Sequence, residues 1–330
     1  MAVSMAEISK LRALTQAGLM DCKKALQEAE GDMQAAVEIL RKKGQAVAAK
    51  RADRDAAEGC VLSKSEGNYA AIVALNCETD FVAKNAGFVE VTQQILDAAV
   101  AAKVKDIEAL KALTINGQTV ADLVVEEGGK TGEKTELGAF EYVEAPSTAA
   151  YTHFGNKLAT IVGFNQENIS YEVGHDVAMQ VASMNPVAVD RASVPQSVID
   201  SETAIAIDKT KAEQVQKAVE VALKKAGINP NLVDSEDHMA SNVAKNWITQ
   251  EEVDKAKEII AKVSAEKAAN LPEAMIQNIV KGRLNSFFKD NTLMEQKFVK
   301  DGELTIGQYL EKSSKGLAAI SFKRVNLNAD

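Results

Sequence analysis

From residue 195 to residue 288 the chain reads as almost purely helical, and within that tract apolar side chains return at seven-residue intervals. Val198, Ile205, Ala212, Val219 and Ala226 form one row, joined by Val215 and Ala222; Val253, Ala256, Ile260 and Val263 resume the register. A heptad sustained over this length fits helices laid side by side. Between the two runs, Gly227 to Asp237 holds Pro230 and several turn formers, so the second helix is expected to fold back along the first. The spacing predicts an antiparallel coiled-coil hairpin over about 208–271, an arm able to project from a globular body.

The rest of the chain uses other periods. Residues 5–44 read as a compact three-helix unit: Cys22, Ala25, Leu26 and Ala29, then Met33, Ala36, Val37 and Leu40, follow the i, i+3, i+4, i+7 pattern. Gly18 and Gly31 separate the helices, Asp32 is placed to cap the third and Gly44 to end it. The mixed charges of QAVAAKRADRDAA at 45–57 suggest a partly helical linker. From Gly59 the period becomes two, with β-rich runs either side of Glu66-Gly67-Asn68, a hairpin signal. An amphipathic helix with Phe88, Val91, Ile95 and Ala99 on one stripe follows. Shorter helices near 106–112 and from Thr119 come next, then a strand over 135–144.

A related layout recurs after residue 150. In AAYTHFGNKLATIVGFN, Gly-Asn again precedes an apolar strand ending in Asn165, and a helix through Val173, Val177 and Val181 stops at Asn185-Pro186. Two related α+β halves with antiparallel sheets are expected. The domains predicted are a module over 1–45, a linker over 46–57, a first core subdomain over 58–145, and a second over 146–330 carrying the arm. A helix from Thr305 and the apolar run LAAISFKRV, expected to rejoin the sheet, complete the fold.

Composition narrows the function. A net charge of −9 argues against a chain held on nucleic acid by neutralising phosphates, and suits one that meets another protein. Three cysteines without a CxxC pair argue against a zinc site or a disulfide framework, and favour a reducing compartment. No apolar run reaches the length of a membrane span, and the N-terminus lacks secretory or transit character. A cytoplasmic protein without direct nucleic-acid or membrane partners is expected.

Few residues invite a chemical reading. GGKT at 128–131 lacks the glycine that a phosphate loop needs five positions before Gly129, where Val124 stands, and a glycine turn ending a helix explains it. His153, His175 and His238 show no metal-like spacing, and no nucleophile motif occurs. Asn76 to Asn85 stands apart, because it lies where a strand turns towards a helix. In one reading Thr79 or Asp80 caps that helix while Phe81 and Val82 pack inward. In the other, Phe81 is an exposed aromatic on a rigid tip, able to anchor in a partner's pocket.

GLMDCKKAL at 18–26 together with NCETDFVAKNAGF at 76–88 resembles the elongation factor Ts family. AEG at 57–59, His153-Phe154-Gly155 before a strand, EQKFVKD at 295–301 and TIGQYL at 305–310 agree with it in order, so the resemblance spans essentially the whole chain. It implies a non-enzymatic guanine nucleotide exchange factor for the translation GTPase elongation factor Tu, without cofactor or metal of its own. The N-terminal module is then similar to ubiquitin-associated domains, with Leu19, Met20 and Lys23 at positions that bind the GTPase domain. Thr79, Asp80, Phe81 and Val82 match the family segment that disturbs the partner's Mg²⁺ site. His153 matches a contact from the second core half; Asn156 and Ala159 stand where glycines are more usual. A homodimer within a 2:2 complex belongs to the same expectation. The arm looks longer than in the familiar bacterial form and includes Trp247, and the chain stops soon after its last strand. Two other readings compete: a scaffold built from the module and the coiled coil, and a nucleotidase using GGKT. A scaffold has no need of an aromatic wedge at residue 81, and direct nucleotide binding would mark the nucleotidase.

Overall fold

A computed structural model describes residues 3–15 and 17–327, apart from the side chains of Val47 and Ala48. Met1, Ala2 and Gln16 of the expected N-terminal module lie outside the described residues, as do the last three of the chain. The chain divides into two units, Asp190–Thr292 and the remainder.

In the larger unit α1 (Met5–Thr15), α2 (Leu19–Glu28) and α3 (Met33–Lys50) close over Ile8, Leu11, Cys22, Ala25, Leu26 and Ala36. Asp32 caps α3 by accepting the amide hydrogens of Gln34 and Ala35 at 2.8 and 2.9 Å. Gly44 does not end this helix. It is buried inside α3, which continues to Lys50 because Gly44 fits a close helix crossing rather than a turn.

β1 (Glu58–Glu66) and β2 (Tyr69–Cys77) pair about the two-residue turn Gly67-Asn68. The chain then forms α4 (Asp80–Ala83), α5 (Ala86–Ala102), α6 (Ile107–Ala112), the small pair β3 (Thr114–Ile115) and β4 (Gln118–Thr119), and α7 (Val120–Thr131). β5 (Glu136–Glu144) returns to the free side of β2, giving the antiparallel order β1-β2-β5. β2 is buried on both faces. Tyr69, Ala71, Val73 and Leu75 meet Phe88, Ile95 and Leu96 of α5, while Ala70, Ile72 and Ala74 meet Ala159 and Ile161 of a second sheet. Each large side chain buried here stabilises the fold by about 1.5–3 kcal/mol.

The second half repeats the plan. β6 (Ser147–Thr152) and β7 (Leu158–Phe164) form a hairpin, and α8 (Tyr171–Met184) follows. Val177, Ala178 and Val181 of α8 pack on Val162 and Phe164. Asn185, in the left-handed region, ends α8 before Pro186.

In the smaller unit, α9 (Gln196–Lys225) leads to a tip containing α10 (Glu236–Ala244), and α11 (Gln250–Ala269) and α12 (Glu273–Asn291) return beside it. The returning side is broken at Asn270-Leu271-Pro272, so α9 meets two partners. Its C-terminal half joins α11 around Leu223, Val253 and Ala256, and its N-terminal half joins α12 around Ala206, Ile276 and Val280. The change of partner shifts the heptad: Ala206 and Thr210 are buried, whereas Ile205 and Ala212 face solvent.

Back in the larger unit come β8 (Lys297–Phe298), β9 (Asp301–Thr305), α13 (Ile306–Ser313) and β10 (Ala319–Asn326). β10 pairs with β7, giving β10-β7-β6. In both halves the second strand is central and the third arrives after helices, so the repeat seen in the Gly-Asn and Ile-Val pairs is a repeat of topology.

Candidate functional site

The end of β2 delivers the chain to a one-turn helix. Thr79 adopts extended backbone and caps α4 by accepting the Val82 amide hydrogen at 3.4 Å. A single turn points its side chains in opposed directions. Ala83 is buried and Val82 packs on the first core, whereas Phe81 is 84% exposed. The inward packing offered as one reading therefore holds for Val82 and fails for Phe81. Asn85 then caps α5 through the Gly87 amide at 2.8 Å, which fixes the far side of the tip. Asp80 pairs with Lys84 at 2.6 Å, and that ammonium holds its carboxyl below the ordinary range.

Two carboxylates that sequence reasoning passed over hold the tip from below. Glu133 accepts the amide hydrogens of Glu78 and Thr79 at 3.1 and 3.0 Å, and the Thr79 hydroxyl at 2.7 Å. Glu78 accepts the Lys134 amide hydrogen and Arg51 Nη1, each at 2.7 Å. These bonds, the Lys134 amide first, hold the Glu78 carboxyl below its ordinary range. Charge-assisted bonds of this kind are about twice as strong as neutral ones. Glu133 stands immediately after Gly132, whose φ of 74° ends α7, so the turn attributed to GGKT occurs there, while Gly128 and Gly129 are helical.

The β6–β7 turn lies at the same edge. His153, next to a 98% exposed Phe154, is itself exposed, and its Nδ1 meets the Tyr151 hydroxyl at 2.8 Å. Gly155 and Asn156 occupy the left-handed region, at φ 89° and 55°. Asparagine tolerates that backbone better than other side-chain-bearing residues, so the departure from glycine leaves a tight turn intact. The Asn156 carbonyl accepts the Val61 amide hydrogen at 2.7 Å, and Lys157 pairs with Glu58 at 2.8 Å. Glu58 is the register partner of Cys77, two residues before Thr79. β1 thus holds the Phe154 turn through Val61 and Glu58, and Glu58 also lies beside Cys77 on the strand that leads to Phe81. Phe154 was legible only as part of a matched tripeptide, not as a surface ring.

Leu19 and Met20 begin α2 and are 43% and 59% exposed, and Lys23 is exposed one turn later. The buried face of α2 is instead Cys22, Ala25 and Leu26. His238 pairs with Asp234, and His175 packs against Tyr151 and Tyr171. Among the described residues no cluster of His, Cys, Asp and Glu is arranged to hold a metal, and no helix is long and apolar enough to cross a membrane.

A family model described as Elongation factor TS matches residues 78–225 and 208–329. Relatives named elongation factor Ts resemble the whole chain over their own whole length. They are 59% identical in Phocaeicola vulgatus, 58% in Bacteroides thetaiotaomicron and 45% in Porphyromonas gingivalis.

Proposed function

The chain belongs to the elongation factor Ts family, and from that premise we propose that it is the guanine nucleotide exchange factor of the GTPase elongation factor Tu. The observation that carries the mechanism is Phe81, an almost fully exposed aromatic on a helix too short and too firmly held to fold back over it.

Such a ring enters a partner as a wedge. Burying it yields about 1.5–3 kcal/mol, and about 1.4 kcal/mol of coupling corresponds to tenfold in nucleotide affinity. The wedge therefore supplies one to two decades. The partner's own Mg²⁺ offsets the charge of the bound diphosphate, so displacing the groups around that ion weakens GDP retention. Thr79, Asp80 and Val82 hold the wedge, while His153 from the second half and Leu19, Met20 and Lys23 from the module add affinity. Binding of GDP and of this chain are reciprocal: each weakens the other by one factor. The exchange factor stabilises the empty GTPase, and GTP then displaces it. No covalent step and no cofactor take part.

The test is a chase of fluorescent GDP from its cognate GTPase. Release accelerated by catalytic amounts of the chain supports the reading, and an unchanged release rate refutes it.

A further inference from the structure

The N-terminal module meets the first core subdomain where α3 crosses α7, and that crossing is made by two glycines. A Cβ on Gly129 would lie 2.5 Å from the Gly44 Cα, far inside the contact distance of carbons from separate residues. The converse is mild: a Cβ on Gly44 would sit 3.6 Å from the Gly129 Cα and 3.4 Å from the Val125 carbonyl. Gly129 is thus the residue whose lack of a side chain allows the two helix backbones to touch. One turn earlier on α3, Arg41 Nη2 pairs with Asp122 of α7 at 2.6 Å, and the guanidinium lowers the Asp122 carboxyl. Just past the end of α3, Arg51 reaches Glu78. A cleft of about 540 Å³ separates Leu14, Gly18 and Met33 from Gln118 and Thr119.

Both ends of the clasp lead to the tip. α7 runs directly through Gly132 into Glu133, which grips Thr79, and Arg51 holds Glu78. We propose that the α3–α7 crossing is a positioning device that fixes the module's Leu19-Met20-Lys23 face at a set separation from the Phe81 tip. Gly129, Arg41 and Asp122 then govern how tightly the GTPase is bound without touching it. This rests on the exchange reading above. Two contact regions held at a matched spacing bind as one, because the second contact forms at a high effective concentration; when the spacing is lost, that gain goes while each contact keeps its own chemistry. The tip's action on the nucleotide site therefore survives, and the concentration needed to reach it rises.

The experiment titrates full-length Gly129→Ala against the fluorescent-GDP complex of the GTPase, with Gly282→Ala as control, since a Cβ at that α12 position meets open space. Gly129→Ala is expected to raise the concentration for half-maximal release about tenfold with the maximal rate unchanged. A wild-type half-maximal concentration, or a loss confined to the maximal rate, would overturn the proposal. Should Gly129→Ala fail to fold by circular dichroism, the charge swap takes its place. Arg41→Asp and Asp122→Arg singly raise the half-maximal concentration and together restore it, and failure to restore it overturns the clasp. A wild-type chain that leaves GDP release unaccelerated removes the exchange reading and this inference with it. Acceleration by wild type beside an unaffected Gly129→Ala removes the clasp alone.

Discussion

The hydroxyl of Thr79 donates to Glu133 at 2.7 Å while its oxygen receives the Val82 amide hydrogen at 3.4 Å, so one side chain both starts the helix bearing Phe81 and moors it to the residue after α7. A threonine satisfied in both directions has one rotamer to choose. The exposed ring is thereby presented by a backbone that is already ordered, and little entropy remains to be lost on docking.

Glu133→Ala removes three acceptor contacts at once, those to the Glu78 and Thr79 amides and to the Thr79 hydroxyl. Hydrogen bonds to a charged group contribute about 1.5–3 kcal/mol each where they are shielded, and one such loss is enough to loosen the tip. Hydrogen exchange at residues 79–82 is expected to quicken at least tenfold while exchange within β2 stays slow. Unchanged exchange at the tip would remove Glu133 from its support.

Glu78 makes the support sensitive to acid. Its folded carboxyl titrates below its unfolded value of about 4.3, because the Lys134 amide and then Arg51 favour the ionised form. The stabilisation is therefore complete above that unfolded value and is lost as pH falls through the lower folded one. The gap in urea midpoint between wild type and Glu78→Gln is expected to be constant from pH 6 to 8 and to shrink towards pH 3. A gap independent of pH would contradict the assignment.

The three thiols should be silent in the native chain. Cys22, Cys60 and Cys77 are buried, and burial pushes Cys60 up to about 11 and Cys77 up to about 12. Thiolate is the reactive species, so iodoacetamide at pH 8 is expected to leave the folded protein unmodified and to label all three cysteines in denaturant. Rapid native labelling at Cys77 would show that the strand end beneath the tip opens.

What the sequence disclosed follows the range of each interaction. The Gly67-Asn68 turn, the stop at Asn185-Pro186 and the Asp32 cap are set by neighbours within a few residues, and each is found where local chemistry puts it. The outward ring of Phe81 was one of two readings, since spacing alone does not say which side of a single turn meets the core. Glu133 and Glu78 meet the tip and Lys134 across more than fifty residues, so no local pattern marks them. Gly44 and Gly129 read as helix terminators one at a time and become intelligible only as a pair. The heptad of α9 was legible as a helix pairing, but its register depended on the break before Pro272, which replaces one partner helix with another.

The central claim is that Phe81 acts on the partner's nucleotide site, and the most direct measurement is the fluorescent-GDP chase with saturating Phe81→Ala. Because the ring is 84% exposed, its removal is expected to leave the thermal melt unchanged. The stimulated release rate should fall about ten- to a hundredfold, the worth of one buried phenylalanine. Release at the wild-type rate from the folded variant would contradict the account.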